Sequence, residues 1–306
     1  MAQEDVFRFQ IEPELEDTRI DKCIALLLDS LSRSYIQKLM REGAVRVNGR
    51  AVKANYKVSV DDEVEFLLPK AIEPDILPQP IPLDVLYEDE DLLFVNKPKG
   101  MVVHPAAGHY SDTLVNAVLY HCAGSLSGIN GIMRPGIVHR IDKDTTGVLV
   151  ICKNDAAHNL VAAQLKEHSI TRRYRAICFG CFREEHGTVD APIGRSAADR
   201  KKMAVNEKNG KRAVTHYKVL KQSEKYAYIE CELETGRTHQ IRVHMASIGH
   251  PLLGDTVYSS RRQPFGSLQG QTLHAMTLGL IHPSTGKYLE IEAPLPEYFE
   301  DLLNKL

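Results

Sequence analysis

No run of about 18 or more apolar residues occurs in the 306-residue sequence, which excludes a membrane-spanning helix. The opening MAQEDVFRFQ has no basic flank followed by an apolar stretch, so it is not a secretory signal and the cytoplasm is the expected location. Cysteine is sparse. Six residues are spread from Cys23 to Cys231, and only Cys178 and Cys181 form a close CxxC pair. A zinc site needs a second pair or histidines at ligand spacing, and neither is present. The cysteines therefore read as small core residues of a protein in a reducing compartment, the pair as two positions on a buried strand. There is no phosphate-binding glycine loop and no dinucleotide fingerprint, so no cofactor, metal or ATP is expected. Internal repeats and low-complexity tracts are also missing.

Net charge is close to zero, at −2, which by itself argues against a nucleic-acid binder. The average hides a pattern, however. Residues 33–57 hold Arg33, Lys38, Arg41, Arg46, Arg50, Lys53 and Lys57 against the single acid Glu42. Residues 195–212 hold seven basic residues against Asp199 and Glu207, while residues 71–96 hold seven acids and no Lys or Arg. Local basic patches, not net charge, decide whether phosphates bind. A single such run is more often just a solvated face.

Five prolines between Pro69 and Pro82 mark a semi-rigid linker or edge segment. The boundary it suggests divides a small unit, residues 1–75, from a large one, residues 76–306. In the small unit, Thr18 and Asp21 fit a capping box, followed by Ile20, Cys23, Ile24, Leu27 and Leu28 on one helical face. A second helix opens near Ser32 or Ser34, turns Ile36, Leu39 and Met40 inward, and stops at Gly43. In VRVNGRAV, Asn48-Gly49 predicts a two-residue hairpin turn. The second helix and the hairpin carry the basic cluster. The stretch RIDKCIALLL…SRSYIQKLMREGAVRVNGR resembles the S4-type RNA-binding domain of a small-subunit ribosomal protein, over residues 18–67. That resemblance implies RNA binding through the basic helix and hairpin.

The large unit reads as strands with few long helices. Leu92–Asn96 and Val148–Cys152 are apolar runs suited to buried strands. Asp155 is placed to cap a helix through about His168, with Leu160, Val161 and Leu165 on one face. Tyr226–Leu233 alternates, as in a half-exposed antiparallel strand. Regular βαβ alternation is missing, so the expected class is α+β with a mixed, mainly antiparallel sheet.

Three segments carry candidate chemistry. In HRIDKDTTGVLVICK (His139–Lys153), Asp142 and Asp144 precede a strand, with Gly147 expected to turn the chain just before it. Arg140 and Lys143 flank Asp142, and neighbouring positive charge keeps a carboxylate ionised, as a nucleophile requires. A loop of surface salt bridges explains the same residues equally well. DKDTTG also superficially resembles an aspartyl-phosphate motif, but there the apolar strand precedes the Asp; here it follows. In LETGRTHQIRVHM (Leu233–Met245), Thr238 is placed to cap a helix with Ile241, Met245 and Ile248 inward, and Arg237 and Arg242 near its start favour an anion partner. His239 and His244 read as ordinary hydrogen-bonded histidines. In ITRRYRAICFG (Ile170–Gly180), Tyr174 is either a core aromatic or a face on which an unstacked base can lie.

Together with KPKGMVVHP (Lys97–Pro105), VTHYKV (Val214–Val219), GHPLLGD and LHAMTLGLIHP (Leu273–Pro283), these segments resemble the pseudouridine synthases that modify ribosomal and transfer RNA. Within that family they are most similar to the large-subunit ribosomal RNA pseudouridine synthase D group. The resemblance spans nearly the whole chain. It implies a pseudouridine synthase catalytic domain acting on RNA as a monomer, away from membranes. It implies Asp142 as catalytic aspartate, Tyr174 stacking on the target base and sharing in proton transfer, and Arg242 paired with Asp142. Arg140 would fill the space left by a flipped base. Attack on the sugar, attack on the base ring and removal of a sugar proton all stay open for Asp142. The expected RNA contacts are His139, Arg140 and Arg237 in the large unit and Arg33, Lys38, Arg41, Arg46 and Arg50 in the small one. The rival class is a non-catalytic RNA-binding assembly protein. A phosphotransferase comes third, and a magnesium requirement would single it out.

Overall fold

The computed structural model describes residues 4–305 except 29–32, 70–75, 106–110, 124, 129–134, 200–201, 262–264 and 266–267. The chain divides into two compact units, Met1–Glu73 and Pro74–Leu306. Most of the proline-rich stretch before Ile76, together with Ser32, Arg200 and Lys201, lies outside the described residues.

The first unit packs helices α1 (Ile20–Leu27) and α2 (Arg33–Arg41) with a four-stranded antiparallel sheet. Its strands are β1 (Glu4–Gln10), β2 (Val45–Val47), β3 (Arg50–Ala51) and β4 (Glu63–Pro69), in the order β1-β4-β2-β3. Ile20, Cys23, Ile24, Ile36, Leu39 and Met40 are buried as the helical spacing predicts, while Leu27 is exposed. Asn48 and Gly49 both have positive φ, 48° and 75°, in the tight turn joining β2 to β3. The expected capping box at α1 is not formed. Arg19 occupies the N-cap and makes no side-chain capping bond. Asp21 is instead fully buried and accepts from Arg19, Arg33 and Gln37. Burial would raise its pKa, yet these bonds outweigh that and hold it below the ordinary carboxylate value.

The second unit is built on a nine-stranded sheet. Its strands are β5 (Val85–Glu88), β6 (Leu92–Lys97), β7 (Thr146–Cys152), β8 (Thr171–Phe179), β9 (His186–Asp190), β12 (Val214–Gln222), β13 (Tyr226–Leu233), β14 (Leu273–Ile281) and β15 (Tyr288–Glu292). The order is β5-β6-β7-β14-β8-β13-β12-β9, with β15 also on β14. Among the described strands of this sheet β7 and β14 run parallel and the other pairs are antiparallel, which is the mixed α+β class expected. A separate hairpin joins β10 (Ile193–Arg195) to β11 (Met203–Val205). Helices α3 (Leu114–Cys122), α4 (Asp155–Glu167), α5 (Gln240–Ser247) and α6 (Glu297–Leu303) complete the unit.

β7 is buried along its whole length and forms the floor of the core with β6 and Val115 and Val118 of α3. Gly147 lies inside this strand, not in a turn before it. Its φ is 109°, and a Cβ there would stand 2.2 Å from the Ala275 carbonyl oxygen of β14. It is glycine so that two parallel strands can approach at the sheet centre. The cap of α4 is Asn154, whose side chain accepts from the Ala157 amide, while Asp155 accepts from Ser127 and the Gly128 amide. Leu160 of this helix is exposed; Val161 is buried. Cys178 is buried on β8, but Cys181 lies beyond the strand end and is exposed, so the pair does not share a buried strand.

Candidate active site

The loop between Val138 and Thr146 is fastened from below. Lys97, at the end of β6, has no exposed surface, and its ammonium donates to the carbonyls of Pro98, Met101 and Lys143. The Gly100 amide donates to the same Lys143 carbonyl. Burial pulls the Lys97 pKa down to about 7, against the opposing pull of Asp144 and Asp142. Further along, the Thr145 amide donates to the Asp142 carbonyl, closing a turn, and Gln271 donates to the Thr145 hydroxyl. These bonds leave the Asp142 side chain half-buried and directed into a cavity.

That cavity encloses about 360 Å³ of atom-free space, its mouth included. Asp142, Tyr174 of β8 and Arg242 of α5 all line it, with Leu233, Ile241 and Leu273 as apolar wall. Arg242 is buried and serves two carboxylates. Its Nη1 donates to Asp142 Oδ2 at 2.9 Å, while Nε and Nη2 donate to Asp255 Oδ2 and Oδ1 at 2.7 and 3.1 Å. Burial alone would lower the Arg242 pKa, but Asp255 and Asp142 raise it above its ordinary value, so the guanidinium stays charged. Asp255 also accepts from the amides of Val257 and Tyr258. The Arg242 guanidinium lies 5.1 Å from the Tyr258 ring centroid.

His239 Nε2 stands 3.8 Å from Asp142 Oδ1, and its Nδ1 bonds the Tyr258 hydroxyl at 2.7 Å. Burial lowers its pKa despite Asp142. It occupies the N-cap of α5 in a left-handed conformation, φ 57°, without capping; Thr238 does not cap this helix either. Burial raises the Tyr174 pKa as well, which keeps the phenol protonated at neutral pH. His244 is a core histidine, as expected, bonded to Thr215 and to the Ala191 carbonyl. Ile248, expected on the inner face of α5, is partly exposed.

The structure thus brings Asp142, Tyr174, Arg242, Arg140 and Arg237 to one cavity. Arg140 is exposed and bonds His104; Arg237 donates to the Arg212 carbonyl. His139 is an internal strut, not a free contact: its Nε2 accepts the Val150 amide, and burial drops its pKa to about 3. In the first unit, Arg33 is spent on Asp21 and Lys57 on Asp17. Arg41, Arg46 and Arg50 are exposed; Lys38 lies on α2, but its side chain is outside the described residues. Sequence reasoning did not single out Asp255, Tyr258 or Lys97. Lys97 and Asp255 stood in KPKG and GHPLLGD, but nothing local in those runs says what they touch.

Residues 91–247 match the RNA pseudouridylate synthase family, and residues 18–64 match the S4 domain. The uncharacterized RNA pseudouridine synthase YlyB of Bacillus subtilis is 51% identical over 96% of this chain and 95% of its own length. Ribosomal large subunit pseudouridine synthase D of Zymomonas mobilis is 50% identical, over 96% of this chain and 95% of its own. Among solved structures, human RNA pseudouridylate synthase domain containing 1 superposes with a TM-score of 0.58 at 26% identity, covering 70% of this chain and 84% of that one.

Proposed function

Because this chain belongs to the RNA pseudouridylate synthase family and isomerises uridine in RNA, we propose that Asp142 is its catalytic nucleophile, with Tyr174 and Arg242 completing the catalytic set. The observation that carries this reading is the meeting of a loop aspartate, a strand tyrosine and a helix arginine, far apart in sequence, at one cavity, with Arg242 bonded to Asp142 at 2.9 Å. A uridine enters such a cavity only by leaving its stack, at a cost of a few kcal/mol. The ring of Tyr174 offers the base a stacking face, and the apolar wall of Leu233, Ile241 and Leu273 excludes water from it. Arg242 holds Asp142 Oδ2, and His239 Nε2 stands 3.8 Å from Oδ1, so the carboxylate is fixed at the cavity for attack. The bond between N1 and the anomeric carbon breaks, the uracil turns, carbon five bonds to the anomeric carbon, the bond to Asp142 is released, and the proton lost from carbon five is matched by one gained at N1. Exposed Arg140 at the rim takes the space that the base vacates.

The substrate we propose is large-subunit ribosomal RNA, on the support of relatives named for that activity, such as the Zymomonas mobilis synthase. We propose the cytoplasm as its location, because the ribosomal large subunit for which those bacterial relatives are named lies there. The test is Asp142→Asn, assayed by tritium release from ribosomal RNA transcripts carrying uridine tritiated at carbon five. Turnover should fall on the order of 10⁴-fold or more, with RNA affinity nearly unchanged. Near-normal turnover would remove Asp142 from its role. A wild-type protein that binds the transcripts and releases no tritium would point to an assembly function.

A further inference from the structure

Beside the Asp142 cavity lies a second opening of about 890 Å³ of atom-free space, sharing Arg140, Tyr174, Leu233 and Arg237 with it. Among the described residues, three arginines and two histidines line this opening, and no carboxylate side chain does. Arg172 of β8 is its most unusual member. It is 7% exposed, one of two buried arginines among the described residues. The other, Arg242, has two carboxylate partners. Arg172 has none among the described residues: Nη2 donates to the Glu234 carbonyl at 2.8 Å, and Nε is buried without a hydrogen-bond partner. Gly236 lies against Nη1; a Cβ there would approach it to 2.6 Å. Burial and the like charge of Arg237 both disfavour the Arg172 cation. A buried guanidinium held by backbone carbonyl oxygen gains further stabilisation when an anion arrives.

We propose that this opening is a phosphate subsite, in which Arg172 and Arg237 grip a backbone phosphate adjoining the target uridine while its base lies at Tyr174. The planar fork of arginine matches two phosphate oxygens, and a buried fork is screened by salt less than a surface one. Gly236 keeps the opening wide enough for the phosphate to reach Arg172. The identity of the neighbouring nucleotide rests on the function proposed above; the anion site itself does not.

The test uses the full chain and uridine 3′,5′-bisphosphate as probe, followed through the arginine Nε–Hε resonances. The Arg172 resonance should shift on titration, and the bisphosphate should bind more tightly than inorganic phosphate. Arg172→Lys should weaken bisphosphate binding about tenfold, and on RNA should raise KM while leaving kcat within about twofold. Gly236→Ala changes no charge and crowds Arg172, so it should weaken the bisphosphate in the same direction if the lysine variant fails to fold. An unmoved Arg172 resonance, affinity unchanged in both variants, or equal binding of inorganic phosphate would overturn the subsite. Tritium release by the wild-type enzyme separates the two readings. An active enzyme with an unmoved Arg172 loses the subsite alone, whereas an inactive one with a shifted Arg172 keeps it.

Discussion

Arg242 carries the two ion pairs that fix the position of Asp142, and its neighbours fix Arg242. The bidentate contact with Asp255 sets the plane of the guanidinium, so the remaining Nη1 points at Asp142. Asp255→Asn keeps an oxygen acceptor but removes the charge and one half of that contact. Stability should fall by about 2 kcal/mol, less than the loss of a whole buried pair, because Asn still accepts one bond. The freed guanidinium then misplaces Asp142, and a shift of about 1 Å in a reacting group costs on the order of 10²-fold in rate. Thermal denaturation and single-turnover kinetics measure the two effects. A kcat equal to wild type would show that Asp255 does not position the site. Arg242→Gln should lower turnover further while RNA affinity, measured by filter binding, changes little.

At the scale of elements, the site hangs on the junction of β7 and β14. Gly147 lets the parallel strands meet, and His274 fastens them, its Nδ1 bonded to the Thr146 hydroxyl and its Nε2 to the Ala293 carbonyl. His274 is fully buried, and burial lowers its pKa from 6.5 to about 4. Between those values the unfolded chain binds a proton that the folded chain refuses. The contribution is therefore fully present above about pH 6.5 and is lost as pH falls through about 4. In that window His274 alone makes stability fall by up to about 1.4 kcal/mol per pH unit. Urea unfolding of His274→Leu should start from a lower stability and decline less steeply over this range. An equally steep acid decline would assign the dependence to other buried groups such as His139, lowered to about 3.

At the scale of the molecule, the first unit has its own core and its own buried ion cluster at Asp21, and the cavity residues belong wholly to the second unit. Deleting residues 1–73 should leave a folded catalytic unit that binds RNA more weakly and with less salt dependence. With Arg33 and Lys57 already paired, the exposed Arg41, Arg46, Arg50 and Lys53 are those that can meet phosphates among the described side chains of the basic run. Losing about three phosphate contacts should flatten the slope of log affinity against log salt by about two units. Affinity at several salt concentrations measures it, and an unaltered slope would mean that the S4 domain does not grip phosphates. Activity on a short RNA at high concentration should persist, since Asp142, Tyr174 and Arg242 are retained.

What the sequence determined by itself was whatever depends on neighbours along the chain. The alternation of Ala227, Ile229, Cys231 and Leu233 predicted β13, the spacing of Ile36, Leu39 and Met40 predicted the inner face of α2, and Asn48-Gly49 predicted the hairpin. Ordered motifs resembling one family put Asp142, Tyr174 and Arg242 forward as one set, and packing brings the three to one cavity. Helix starts were misread at Thr18, Asp155 and Thr238, because which of several adjacent polar residues caps a helix depends on the direction from which the chain enters it. Tertiary structure alone decided the rest: that Asp255 braces Arg242, that Lys97 anchors the Lys143 carbonyl, that Gly147 admits β14, and that Arg172 is buried against the Glu234 carbonyl. Each is a contact between residues brought together by packing. Burial, which decides whether a charge needs a partner, becomes defined only when distant strands and helices close around it.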